Sequence, residues 1–407
     1  MKRASAYTAG SERYSMRPRT KRAPSPRADR VDRWRVPMDP ASSREGRRGR
    51  IGRHMLFDAR TWSRHLRGYV IHDCAISHAG RLHFTLVLDE GEAGFSLDPD
   101  TRFLCCDLDA PAARRFSHVD ALNLGPVRSA VAISPSLELL AVDPAGRLYR
   151  CPGRGTPTQD APPLPWKPRL KHHEGHVRNL KRVGRHVYAL TDAREILRRQ
   201  GAQRWVPLAA SAKGAPFPRA TDKQAGWSTG FNDLDGFASD DLYAVGGFGD
   251  VWHFDGKDWT KLPFAKDTLV HTVCCAGDGN VYLTGHRGAL WVGRGKQWKR
   301  LQEGGLPLSE FSDSAWFAGA LYCGTHEGLW VKTQQGRLRP VREVDPRMKA
   351  DVARCSGRIG LSPDGTRMLS ASHRGASLFD GERWTLLFKT SRPSTAPRRK
   401  MDSRRKP

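Results

Sequence analysis

Gly256-Lys257-Asp258-Trp259-Thr260-Lys261-Leu262 states a rule that the second half of this chain obeys four times. Gly295-Lys296-Gln297-Trp298-Lys299-Arg300-Leu301 and Gly381-Glu382-Arg383-Trp384-Thr385-Leu386-Leu387 repeat it, and Gly201 to Leu208 around Trp205 carries one extra residue. Each copy closes a strand-rich unit. A period of about 40 residues marks a solenoid or a propeller, and the turn chemistry decides between them. The clearest unit runs from His271 to Leu301. His271–Ala276, Val281–Gly285, Ala289–Val292 and Gln297–Leu301 read as four strands, separated by Gly277-Asp278-Gly279-Asn280, His286-Arg287-Gly288 and Gly293-Arg294-Gly295-Lys296. Glycines in tight turns supply the positive φ that antiparallel hairpins require. Four short antiparallel strands per unit make one propeller blade.

Working outward, an aromatic recurs on the second strand at Tyr243, Tyr282 and Tyr322, with Tyr188 preceding them across a long loop. Weaker units contain Ile133-Ser134-Pro135, then Gly146-Arg147-Leu148-Tyr149, and, last, Leu361-Ser362-Pro363-Asp364-Gly365-Thr366. Seven blades are expected, starting near residues 70, 127, 176, 230, 270, 311 and 352. A ring must close, because open sheet edges invite further pairing. Leu56-Phe57-Asp58-Ala59-Arg60-Thr61-Trp62 imitates Phe254–Trp259 and Leu378–Trp384, so a strand at Met55–Trp62 is the expected clasp, completing or covering the last blade beside residues 378–387. Repeat-like sequence begins straight after Met55, which makes that methionine a candidate natural start.

The net charge of +26 is concentrated at the ends. Residues 1–53 hold 16 Lys+Arg against 5 Asp+Glu, and residues 389–407 hold 8 against 1, which leaves the body mildly basic. Both ends are rich in Arg, Ser and Pro without apolar periodicity and read as disordered. The domain layout is therefore a basic leader (1–54), an all-β seven-bladed propeller (55–390) and a basic tail (391–407). The tails could hold nucleic acid only weakly, by charge alone. No apolar run is long enough to span a bilayer. The eight cysteines include two adjacent pairs but no CxxC, and adjacent strand residues face opposite ways, so they read as small hydrophobes. A cytoplasmic location is the corresponding expectation.

The blades resemble those of seven-bladed propellers related to the photosystem II assembly and stability factor, in their Gly-rich hairpins and outer-strand Trp. The Ser362-Pro363-Asp364-Gly365 turn is similar to that of YVTN and WD-type repeats. This likeness covers about residues 55–388 and implies fold more than function, since propellers host scaffolds, receptors, lyases and hydrolases alike. A sialidase-type Asp box is not matched, because no spacer separates Asp364 from Gly365.

Candidate functional residues lie away from the Trp rule. Its tryptophans, with Trp252, Trp291 and Trp330, have the regular spacing of blade-to-blade packing. His286, His326 and His373 instead occupy the turn between second and third strands, while His72, His176 and His271 lead into first strands. These two kinds of segment open on the same face of a propeller, with Arg178, Arg287, Arg354 and Arg374 nearby. Three readings are open: histidines that merely suit a turn, a His/Arg rim that grips an acidic protein segment or anion, and a metal site. Arg suits carboxylate geometry. Virginiamycin B lyase sets a precedent for a metal on a propeller, yet Asp73, Asp233 and Asp313 are the only carboxylates near the first strands and lack diagnostic spacing. There is no Gly-x-Ser-x-Gly elbow and no phosphate loop. The sequence points to a non-enzymatic, cofactor-free platform for another protein, of assembly-factor or inhibitor/immunity type. Its expected face is His176, Arg178, His271, His286, Arg287, His326, His373 and Arg374. The alternative is a metal-assisted propeller lyase or hydrolase using channel-mouth histidines.

Overall fold

Turns cut the chain into short strands, and alternating side chains give each strand two faces to bury. The computed structural model describes residues 57–391, apart from residues 79, 90–98, 126, 153–163, 166–175, 209–229, 248, 266–267, 309 and 326. The leader, the tail, Met55 and Leu56 lie outside the described residues, as does His326.

The described residues form seven antiparallel sheets, one per blade. Blade one contains β1 (Tyr69–His78), β2 (Arg81–Leu88), β3 (Thr101–Asp107) and β4 (Phe116–Ala121). Blade two contains β5 (Arg128–Ala132), β6 (Glu138–Val142) and β7 (Leu148–Pro152). Blade three follows with β8 (Val177–Val183), β9 (His186–Thr191), β10 (Ile196–Arg199) and β11 (Trp205–Pro207). Blade four is β12 (Phe231–Ala238), β13 (Asp241–Gly246), β14 (Val251–Phe254) and β15 (Trp259–Lys261). Blade five is β16 (Val270–Cys275), β17 (Val281–Gly285), β18 (Leu290–Arg294) and β19 (Gln297–Gln302). Blade six is β20 (Asp313–Phe317), β21 (Ala320–Gly324), β22 (Leu329–Lys332) and β23 (Leu338–Pro340). Blade seven is β24 (Arg358–Leu361), β25 (Met368–Ser372), β26 (Gly375–Phe379) and β27 (Trp384–Lys389). The seven-bladed propeller expected from the repeats is the fold. The last blade begins six residues late, because the helices α2 (Val341–Val344) and α3 (Ala350–Arg354) precede it.

Each interface between neighbouring blades has its own apolar core. Blades three and four share Tyr188, Phe231, Leu242 and Trp252, with Trp259 packed against them. Blades four and five share Tyr243, Val273 and Trp291, with Trp298 against them. Trp259 also donates from Nε1 to the Leu208 carbonyl of the previous blade, at 3.2 Å. Trp384 stacks on Phe379 with centroids 4.3 Å apart. The tryptophans are therefore packing residues, and the second-strand tyrosines are all buried.

The motif glycine sits in the turn between third and fourth strands. Gly256 and Gly381 adopt φ of 92° and 91°. The preceding aspartate fastens the same turn: Asp380 Oδ1 accepts from the amides of Glu382 and Arg383 at 3.0 and 2.6 Å. The leading copy at Phe57–Trp62 departs from this, and the expected strand is instead helix α1 (Ala59–His65). Ala59 stands where the motif has glycine and cannot readily take the left-handed conformation. Asp58 therefore becomes an N-cap, its Oδ1 accepting the Thr61 amide at 2.7 Å. The covering role survives the change of element. Phe57 packs with Leu378, Leu387 and Phe388 where blade seven meets blade one, and Trp62 Nε1 donates to the Thr390 carbonyl at 2.5 Å.

Candidate functional site

Each innermost strand begins on the face where the second-to-third-strand turns emerge. In blade three the Asp192 amide donates to the His176 carbonyl at 3.0 Å, and in blade five the Leu306 amide donates to the Arg287 carbonyl at 3.0 Å. We call this the leading face.

The residues singled out in the sequence occupy it in separate groups. His176 is exposed, with Nδ1 3.3 Å from Asp192 Oδ2. Arg178 is half-buried two residues on. His271 is half-buried, and its Nδ1 lies 3.1 Å from Glu310 Oε2. Burial lowers its pKa, the Glu310 carboxylate opposes this, and the neighbouring His286 adds to the lowering. His286 and Arg287 are exposed, and Arg287 holds a left-handed φ of 52° ahead of Gly288. His373 and Arg374 are exposed and joined by an Arg374 Nε to His373 Nε2 hydrogen bond of 3.1 Å. Among the described residues, no three His, Cys, Asp or Glu side chains are placed to hold one metal ion.

A cleft of about 620 Å³ lies between blades six and seven on this face. Leu306, Leu308 and Trp330 provide apolar lining, and Arg342, Arg354 and Arg374 stand over it. Arg342 and Arg354 come from α2 and α3, the inserted turns that delay the last blade. All three guanidinium groups belong to exposed residues. Arg339 also borders the cleft, but it is engaged by Glu343 at 2.9 Å. A cleft that sets Leu306, Leu308 and Trp330 beside exposed guanidinium groups, with the carboxylates of Glu327 and Glu343 at its wall, can hold a peptide segment carrying both apolar and acidic side chains.

The channel at the ring's centre, about 270 Å³, is lined by all seven innermost strands. Asp73, Asp233 and Asp313, the three possible metal carboxylates, serve as latches between blades. Asp73 Oδ2 accepts the Ser129 amide at 2.9 Å, Asp233 Oδ2 the Val273 amide at 3.0 Å, and Asp313 Oδ2 the Ile359 amide at 3.2 Å. Lys181 crosses the channel to Asp233 Oδ1 at 3.1 Å and Asp313 Oδ1 at 2.9 Å. Burial disfavours its charge, but the two carboxylates outweigh that and hold the ammonium well above its usual pKa. Asp235, also on β12, is pushed up to about 6, chiefly by burial.

Three features escaped the sequence reading: Lys181 as the hub of the channel, and Arg128 and Arg358 at its leading end. The available signal was an arginine at the same place in two inner strands, Val127-Arg128-Ser129 and Gly357-Arg358-Ile359. The eight cysteines form no disulfide and are buried or half-buried, as small hydrophobes should be. Burial pushes the Cys105 and Cys355 thiols up to about 11. No helix among the described residues is long and apolar enough to cross a membrane.

No family model matches the chain. It is 28% identical over 211 residues to the Immune protein Tsi7 of Pseudomonas aeruginosa, an overlap of 52% of this chain and 64% of that protein. The chain thus spans less than two thirds of that relative's length. Among solved structures, it is similar to YCF48 bound to D1 peptide, with a TM-score of 0.48 and 15% identity over 76% of this chain and 91% of that one. It is also similar to PorZ, a surface component of the type-IX secretion system of Porphyromonas gingivalis. That match has a TM-score of 0.49 and 12% identity over 81% of this chain and 39% of that one.

Proposed function

We propose that this chain is a protein-binding propeller of the immunity type, which holds another protein on its leading face and thereby blocks it. The cleft between blades six and seven carries this reading. Its apolar lining is overlooked by Arg342, Arg354 and Arg374, so the favoured partner segment is acidic with an apolar anchor. The exposed His176, His286 and His373 would flank the bound protein, and His271, Arg178 and Arg287 would border it. Sequence similarity to a protein named for immunity supports the inhibitory sense of the binding. A rigid disc suits the task, because side chains from distant blades can grip one partner with little ordering cost. Eight cysteines that form no disulfide suit a reducing compartment, which favours a cytoplasmic location.

Affinity capture with the full chain, followed by mass spectrometry and reconstitution from purified proteins, tests this. The expected result is a partner that wild type retains and inhibits, and that the R342E/R354E/R374E variant releases at an unchanged melting temperature. Equal retention by both proteins would overturn the cleft assignment. A retained protein whose activity is unaffected would overturn the inhibitory role.

A further inference from the structure

Seven residues occupy equivalent positions at the leading end of the inner strands: Asp73, Arg128, Asn179, Asp233, Thr272, Asp313 and Arg358. The equivalence follows from the latches. An acid in one blade accepts the amide of the residue after the equivalent position in the next, as in Asp73 to Ser129, Asp233 to Val273 and Asp313 to Ile359. The carboxylates of this ring are accounted for. Asp73 Oδ1 accepts the Cys74 amide and Oδ2 the Ser129 amide and hydroxyl, while Asp233 and Asp313 share Lys181.

The two arginines of the ring are different. Arg128 donates from Nε to the Arg178 carbonyl at 3.3 Å, and its Nη1 is shut from water with no hydrogen-bond partner among the described residues. Arg358 is 8% exposed, donates from Nη1 to the Ser312 carbonyl at 3.1 Å, and has a buried Nε without a partner. Neither forms an ion pair with a described residue, although Asp73 stands between them in ring order. Burial, then repulsion from Arg358, pulls the Arg128 pKa down to about 10, with Asp73 and Asp313 opposing the fall, so Arg128 remains charged at neutral pH. Two guanidinium groups with unused donors at one end of the channel are costly to fold around, and their planar forks fit an oxyanion. The three carboxylates in the same ring disfavour a dianion, which points to a single negative charge.

We propose that Arg128 and Arg358 form an oxyanion site at the leading end of the channel that takes a carboxylate of the bound protein. It deepens the protein-binding reading and rests on it only for the source of the carboxylate. Bound there, a carboxylate would accept the spare donors of blades two and seven and bridge the ring across Asp73.

The site itself is testable without a partner. In thermal unfolding of the full chain at constant ionic strength, replacing chloride by acetate should raise the melting temperature saturably, and phosphate should raise it less. Arg128→Met and Arg358→Met should each raise the melting temperature in chloride, by removing a buried cation that no described carboxylate pairs with, and should abolish the acetate effect. A purely structural arginine would instead lower it. The same acetate response in the variants, or a stronger response to phosphate, would overturn the site. Side-chain Nε–Hε resonances of wild-type protein give a second readout if a variant fails to fold: acetate should shift those of Arg128 and Arg358, and no shift would also overturn it. If the site binds acetate but both variants capture the partner with unchanged affinity, the assignment to the partner's carboxylate is overturned while the cleft reading stands.

Discussion

The perimeter and the centre of this propeller are built from the same blades by different rules. On the outer strands one solution recurs: a turn glycine, then a tryptophan at Trp205, Trp259, Trp298 and Trp384, pressed against its blade or the neighbouring one. On the inner strands no residue type recurs all round. The leading ring runs Asp, Arg, Asn, Asp, Thr, Asp, Arg; Lys181 reaches its Asp233 and Asp313 carboxylates, while its two arginines form no ion pair with a described residue. Each perimeter interface is a separate local packing problem, so it accepts one repeated answer. The centre is a single shared volume in which every charge feels the others, so repeating one residue seven times would be repulsive. Idiosyncrasy at the centre therefore marks where selection for something besides folding can act.

The largest effect should come from the perimeter. Trp384→Ala removes a buried ring stacked on Phe379 and an Nε1 donor to Asp345, and should cost about 3–5 kcal/mol by denaturant unfolding. A loss below about 1 kcal/mol would mean that the repeated motif is not what seals the blades.

Next comes the centre. Lys181→Met leaves Asp233 and Asp313 facing each other without a cation. Removing one partner of a buried pair costs about 3–5 kcal/mol, and partial access from the channel should reduce this to about 2–3 kcal/mol. Lys181→Met combined with Asp313→Asn should recover part of that loss. A double variant no better than the single would show that Lys181 acts by packing rather than charge.

The smallest effect is in the pH dependence, and its sign should differ between two regions. At the closing seam His65 Nδ1 lies 2.8 Å from His118 Nδ1, and burial, with the charges of His118, Arg64 and Arg102, lowers the His65 pKa to about 4. A depressed pKa contributes stability that is present above the usual histidine value and lost as pH falls towards 4. In the channel Asp235 is raised to about 6, so its contribution is complete below the usual carboxylate value and lost as pH rises through 6. Hydrogen exchange, corrected for intrinsic rates, should show α1 and β4 losing protection between pH 7 and 5 relative to β12. His65→Phe and Asp235→Asn should each flatten the trend in their own region, and matching trends in both regions would refute the assignment.

Much of the fold was legible. Blade starts expected at 70, 127, 176, 230 and 270 fall within one residue of strands beginning at Tyr69, Arg128, Val177, Phe231 and Val270. Glycine turns and Trp spacing are local signals, and strand pairing within a blade is also local. The clasp was misread because Asp58-Ala59 differs from Asp255-Gly256 by one methyl group, which forbids the turn and permits a helix. The leading-face histidines were legible as positions but not as partners. His176 pairs with Asp192 in its own blade, His271 meets Glu310 on the way into the next, and His373 meets its neighbour Arg374.

The sequence by itself determined seven blades, their tryptophan seals and the face on which their turns emerge, because each depends on residues within about 40 positions of one another. Tertiary structure alone decided what those blades enclose. Closing the ring brings Asp73 beside Ser129, Lys181 beside Asp313 and Asp313 beside Ile359. Such neighbours follow from the angle between blades rather than from any spacing along the chain. Charges acting through a shared channel can be counted in a sequence, but only the folded ring shows which of them are already matched.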